Sequence, residues 1–120
     1  MNKGIALATG DVIGFLNADD VFAHQQVLRR VTEIFDDPMV EVCYADLIYV
    51  DRINPRKIVR YWKSQPYQDG LFEKGWMPAH PTFYVRRAVY EKLGGFDLTY
   101  QRQSDFELTM RLLKIYRLRA

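Results

Sequence analysis

Three places in this chain hold side chains whose types and spacing could do chemistry. The first is Asn17-Ala18-Asp19-Asp20, directly behind the apolar run Val12-Ile13-Gly14-Phe15-Leu16. Paired acids at the end of a strand suit a hard divalent cation. Mg²⁺ and Mn²⁺ prefer carboxylate oxygens and share them with substrate phosphates. Alternate residues of an extended segment point the same way, so Asn17 and Asp19 face one site while Asp20 turns away or bonds backbone amides. A local reading stands beside this one, because Asn and Asp also serve as helix caps and in Asx-turns. No Cys/His pair stands at zinc-ligand spacing.

The second place is Ser104-Asp105-Phe106-Glu107. Ser104 with Glu107 three residues on is a capping box, and Asp105 in the first turn suits the helix dipole. The same geometry would aim Asp105 into a cleft as a general base, since a capped helix end is a rigid mount. The third is His80, in Pro78-Ala79-His80-Pro81. The prolines constrain the backbone, so His80 is either structural or aimed at a phosphate or a metal. Arg86-Arg87 reads as a solvated face or a phosphate contact. Trp62 and Trp76 read as packing residues before sugar platforms. Gly94-Gly95 reads as a helix end or as a close backbone approach to a ligand. Cys43, the single cysteine, lies in Val42-Cys43-Tyr44-Ala45 and reads as a buried thiol in a reducing compartment rather than a nucleophile.

The elements that must position these residues follow from periodicity. Residues 1–8 read as the end of a helix stopped at Gly10, and 12–16 as a strand. Residues 24–37 predict a helix, with Val27, Leu28, Val31, Ile34 and Phe35 on one face. Residues 40–50 predict a strand, and 57–62 a returning hairpin arm after the turn at 52–56. Residues 63–81 are an irregular loop rich in Pro, Gly and aromatics, the kind of loop that carries function. A strand at 82–85, a helix at 86–93 and a helix from 104 to 116 complete the chain. Strand alternating with helix is the rhythm of an α/β sheet, where ligands bind at the carboxyl ends of strands.

Composition narrows the classes. The 120 residues are 48% hydrophobic and 27% charged, enough for one domain with a core. They exclude a disordered tail and a disulfide scaffold. No apolar run is long enough to span a bilayer, and no signal-peptide layout begins the chain. The net charge of +2 lacks the excess expected of a nucleic-acid binder. A cytoplasmic protein is expected.

Taken together, the motifs resemble family 2 glycosyltransferases of the GT-A fold, with the flavour of bacterial enzymes that build lipopolysaccharide and exopolysaccharide. Three blocks carry the resemblance, in order: Asn2-Lys3-Gly4 with Ala8-Thr9-Gly10-Asp11 and Phe15 to Asp20; His80 to Arg87; and Gly94-Gly95-Phe96-Asp97 with Ser104 to Leu108, Arg111 and Leu112. The resemblance implies transfer of a sugar from a nucleotide diphosphate sugar to an acceptor hydroxyl, with inversion, in cell-surface polysaccharide biosynthesis. It implies a metal motif at Asn17-Ala18-Asp19, with Mg²⁺ or Mn²⁺ on Asp19 and Asn17 in place of the usual first acid. Asp20 matches the further acid after that motif. Asp105 matches the catalytic base, preceded here by Ser104 instead of Glu. His80 matches a position near the donor phosphates.

The resemblance also sets expectations for organisation and partners. Residues 1–120 are expected to be one partial GT-A domain, an α/β sheet whose first strand-helix units are absent. Such a piece would be weakly active or inactive alone. Its open sheet edge would invite homo-oligomers. The acceptor would be a saccharide or a lipid-linked sugar, set by residues 63–79, with peripheral contact at the inner face of the membrane. The alternative is a truncated non-catalytic module that keeps the fold and binds or self-associates.

Overall fold

The computed structural model describes residues 2–18, 20–97 and 104–115. Helix α1 (Asn2–Leu7) leads into strand β1 (Val12–Ile13), helix α2 (Val27–Ile34) and strand β2 (Val42–Cys43). A hairpin follows, β3 (Leu47–Val50) and β4 (Ile58–Trp62). Two 3-10 turns, Phe72–Lys74 and His80–Thr82, interrupt the long loop before strand β5 (Tyr84–Arg86) and helix α3 (Arg87–Leu93). Helix α4 (Ser104–Met110) continues as a π-helical turn, Arg111–Ile115.

The main sheet has the order β1-β5-β2, and β5 is antiparallel to both neighbours. Strands β1 and β2 therefore run in the same direction, with β5 reversed between them. Ile13 and Val42 both pair with Val85, so these three side chains form one row on one face. That row is buried together with Phe83, Val89, Tyr90, Phe96, Leu108, Leu112 and Leu113, which brings α3 and the last helix onto this face. The opposite face carries Val12, Cys43 and Tyr84, with Val31, Phe35 and Val40 from α2 and its exit. A sheet covered by helices on both faces is the α/β arrangement that the alternating pattern predicts.

Arg86 is neither a solvated side chain nor a phosphate contact. It lies on the α2 face, and its Nε donates to the Val40 carbonyl at 2.5 Å. Its Nη2 donates to the carbonyls of Phe35 at 2.7 Å and Asp37 at 2.9 Å, and the guanidinium lies 5.0 Å from the Phe35 ring centroid. It thus satisfies the carbonyls left open where α2 ends. Arg87 does lie on a solvated face, 3.6 Å from Glu91 one turn on.

Several elements are shorter than their patterns. The strand expected over 12–16 leaves the ladder after Ile13, where Gly14 gives way to the Tyr84 ring: a Cβ there would lie 2.4 Å from it. The strand expected over 40–50 divides into β2 and β3, which belong to different sheets. Thr82 holds the division open, its Oγ1 accepting from the Ala45 amide at 3.1 Å and lying 3.0 Å from the Ala45 carbonyl. The helix expected over 24–37 forms only over Val27–Ile34, and it buries less than its stripe predicts. Val31 packs, while Leu28 and Ile34 stay exposed.

Replacing Arg86 by Ala should cost about 2–3 kcal/mol, because three backbone carbonyls lose a charged donor. Arg86→Lys should recover little, since an ammonium does not reproduce the planar fork. Urea denaturation measures both. A loss below about 0.5 kcal/mol for the alanine variant would contradict this account of α2 anchoring.

Candidate functional site

The register of the main sheet decides where the candidate residues meet. The β1–β5 pairing ends at Ile13 and Val85, and the chain beyond it reaches the start of β5 through Phe15, which stacks on His80. Continuing β2–β5 sets Ala45 against Thr82, where the Thr82 hydrogen bonds are found. The carboxyl ends of β1 and β2 thus both lead to the 3-10 turn His80–Thr82. Pro81 starts that turn tightly, and Thr82 Oγ1 donates back to the Ala79 carbonyl at 2.7 Å.

His80 sits in an aromatic slot. Phe15 stacks on it at 5.8 Å between centroids, Phe96 meets it edge-on at 5.6 Å, and the two phenylalanines meet at 5.5 Å. Both ring nitrogens of His80 are buried with no hydrogen-bond partner among the described residues, as is Oε2 of Glu107. Burial holds the imidazole below its ordinary value of 6.5, and the negative charge of Asp105 pulls weakly the other way. At neutral pH His80 is therefore uncharged, with one N–H to donate and one lone pair to accept.

Asp105 lies half-buried in the first turn of α4, its Oδ1 accepting the Phe106 amide at 3.1 Å. The mount is stiff. Thr109, fully buried, donates to the carbonyls of Asp105 or Phe106 at 3.0 and 3.1 Å, and Leu108 and Leu112 are buried in the core. One turn on, Glu107 meets Arg111 at 3.2 Å. Arg111 also donates to the carbonyls of Leu93, at 3.4 Å, and Gly95. The side chain of Ser104, the other half of the expected capping box, lies outside the described residues.

Asn2 and Gly95 set Phe96 against His80, a positioning role that sequence reasoning assigned to neither. Asn2 brackets Phe96, accepting its amide at 2.7 Å and donating to its carbonyl at 2.8 Å. Gly95 makes room for this, because a Cβ there would lie 2.5 Å from Asn2 Oδ1. The glycine pair does serve a close approach, but to Asn2. Gly94 ends α3 with φ of 83° and its amide on the Tyr90 carbonyl, as a helix-terminating glycine should. The Gly94-Gly95-Phe96 spacing was the signal for this clamp; its partner, 94 residues away, had none.

The structure brings His80 and the segment after β1 together through Phe15, with the charge of Asp105 acting on the imidazole, and leaves other candidates apart. Asn17 is exposed, and the Asp20 amide donates to its backbone carbonyl at 3.1 Å, a turn closed by main chain alone. Asp20 is half-buried. Asp19 lies outside the described residues. Among the described residues no three His, Cys, Asp or Glu side chains gather to hold a metal, so those donors alone make no cation cage. Two surface depressions, one lined by Phe22, His24, Gln25 and Leu28 and one including Asn2, Ile5, Tyr90 and Gly95, do not include His80 or Asp105. Trp76 packs with Tyr44, Tyr67 and Phe72, within the loop as expected. Cys43 is buried and its thiol is pushed up to about 11, which removes it as a nucleophile at neutral pH.

The sequence profile of glycosyl transferase family 2 matches residues 1–94. The chain belongs to that family. Its mixed sheet with flanking helices is accordingly a GT-A α/β fold. The chain is similar to the PGL/p-HBAD biosynthesis glycosyltransferases of Mycobacterium bovis and Mycobacterium tuberculosis, at 28% identity over 111 residues. That alignment covers 92% of this chain and 41% of each relative, so the chain spans about two fifths of their length. No solved structure matches it significantly. Among the described residues of this family 2 chain, no helix is long and apolar enough to cross a membrane.

The His80 resonance in NMR should titrate with a midpoint below 6.5, and Asp105→Asn should move it lower still by removing the stabilising charge. The stability consequence has a definite sign. Above 6.5 both states are neutral and nothing is lost. As pH falls from 6.5 toward the lowered native midpoint, the unfolded chain takes the proton first and stability drops. A midpoint at or above 6.5, or an upward move in Asp105→Asn, would contradict the burial of an uncharged imidazole.

Proposed function

We propose that residues 1–120 act as one glycosyl-transfer segment, moving a sugar from a nucleotide diphosphate sugar to an acceptor hydroxyl with inversion. The observation that supports this reading is the buried, partnerless imidazole of His80 in its Phe15–Phe96 slot at the carboxyl ends of β1 and β2, where the charge of Asp105 acts on it. In the proposed chemistry the Asp105 carboxylate takes the acceptor hydroxyl proton. The freed oxygen attacks the anomeric carbon from the face opposite the diphosphate, and the bond to the departing phosphate oxygen breaks with its electron pair. One displacement on the opposite face inverts the carbon. His80, with no partner for its ring N–H, donates to a diphosphate oxygen as negative charge grows there. The stacked Phe15 and Phe96 exclude water around that bond.

The donor side is completed by Asn17, Asp19 and Asp20 at the end of β1. Asp19 is assigned to a divalent cation, Mg²⁺ or Mn²⁺, which when bound neutralises diphosphate charge; one carboxylate shared with substrate phosphates is an ordinary donor set for it. The acceptor, a saccharide or lipid-linked sugar of a cell-surface polysaccharide, approaches along residues 63–79. Such a reaction belongs in the cytoplasm, where nucleotide sugars are supplied. The similarity to glycosyltransferases of PGL/p-HBAD biosynthesis supports the sugar-transfer reading.

Thermal unfolding of the chain with UDP, GDP or dTDP, each with Mn²⁺, tests donor binding. At least one should raise Tm, by about 2.7 kcal/mol of stabilisation at a hundredfold excess over Kd. Asp105→Asn should keep that shift and lower sugar transfer about 10²–10⁴-fold. Transfer at the wild-type rate in Asp105→Asn would remove Asp105 from the role of base. A second reading is a non-catalytic self-association module, favoured by the place of β1 at the end of the main sheet with one partner strand. No Tm shift with any nucleotide, together with a concentration-dependent dimer, would select it.

A further inference from the structure

The β3–β4 hairpin stands outside the main sheet, and its surface is at odds with a solvated hairpin. The register pairs Ile48 with Tyr61 and Tyr49 with Arg60, then jumps so that Val50 meets Ile58 and Val59 is the extra residue of a bulge. Cross-strand partners share a face, so Ile48, Val50, Ile58 and Tyr61 lie together. Ile58, Val59 and Tyr61 are each more than half exposed, and Ile53 at the tip is 94% exposed. The tip is built to hold Ile53 out. Asp51 Oδ1 accepts the amides of Ile53 at 2.8 Å and Asn54 at 3.0 Å, and the Asp51 amide donates to the Lys57 carbonyl at 2.8 Å.

Charge surrounds this apolar surface. Residues 49–63 contain Arg52, Arg56, Lys57, Arg60 and Lys63 against the single carboxylate of Asp51. The hairpin is therefore more positive than the whole chain, whose net charge is +2. Asp51 is engaged by the turn amides, which hold its carboxyl below the ordinary range. On the opposite face of the hairpin, Arg60 lies over the Tyr49 and Trp62 rings, at 5.3 and 5.9 Å from their centroids.

We propose that this hairpin docks on an anionic lipid surface, with Ile53, Ile58 and Val59 entering the headgroup region and the basic side chains meeting lipid phosphates and carboxylates, while Tyr61 is held at the root by Asp46. An exposed aliphatic tip and a collar of Lys and Arg are complementary to that interface as they are to no neutral surface. The assignment stands apart from the sugar-transfer reading and survives its failure.

Co-sedimentation of the chain with phosphatidylcholine vesicles, with and without phosphatidylserine, tests it. Binding should require phosphatidylserine and fall with added salt. Arg52→Ser with Lys57→Ser should weaken it about fivefold per cation removed. Ile53→Ser, at a site too exposed to affect folding, should weaken it several-fold at unchanged charge. Equal binding to neutral vesicles, no binding at low salt, or binding unaltered by Ile53→Ser overturns the proposal. So does a dimer on gel filtration that Ile53→Ser dissolves, because a second copy would then be what covers the hairpin.

Discussion

The antiparallel placement of β5 between β1 and β2 is the constraint on which the rest depends. Reversing one strand between two co-directional neighbours brings the start of β5 to the carboxyl ends of both. The 3-10 turn before β5 carries His80, and the segment after β1 carries Phe15 and Asn17. No loop has to reach across the sheet to join them. The same strand ends in Arg86, whose guanidinium closes the exit of α2. One three-residue strand thus fixes the site at its start and the far helix at its end, and this explains why Val85 at its centre is fully buried.

Around His80 two effects oppose each other, and their order matters. Desolvation in the Phe15–Phe96 slot disfavours the imidazolium, while the Asp105 carboxylate favours it. Desolvation is the larger. The aromatic slot therefore keeps the imidazole uncharged at neutral pH. Asn2 matters for the same reason. Its two hydrogen bonds set Phe96, Phe96 sets the ring of His80, and the clamp is possible because residue 95 has no Cβ.

The readable parts of this molecule were those with local signals. Gly94 announced the end of α3, the aromatic spacing of 63–81 announced a packed loop, and the apolar surroundings of Cys43 announced an inert thiol. Family membership was legible from three motif blocks in order. What was hidden depends on distant partners. Arg86 looked identical in kind to Arg87, and only the arrival of α2 and the loop before β2 separates a buried fork from a solvated ion pair. The 40–50 run looked continuous because its β-propensity is uniform; it divides because its two halves pair with different strands. The stripe on α2 had the right period but buries little, since periodicity names a face and not what covers it.

The hairpin and the site are also one mechanical unit. Asp46, at the root of β3, accepts from Tyr61 Oη at 2.5 Å and from the amide and hydroxyl of Ser64 at 2.7 and 2.9 Å, so both strands are tied at their base. The residue before it, Ala45, is held through its amide and carbonyl by Thr82, two positions after His80. A short run of hydrogen bonds therefore links the hairpin root to the turn that carries the imidazole. Hydrogen bonds of this kind contribute about 0.5–1.5 kcal/mol each, and breaking several together would be needed to swing the hairpin free. A surface that captures the hairpin would then fix the orientation of the His80 slot above it. An acceptor anchored in that surface would meet the site at a constant height, which removes part of the orientational entropy that a bimolecular transfer must otherwise overcome.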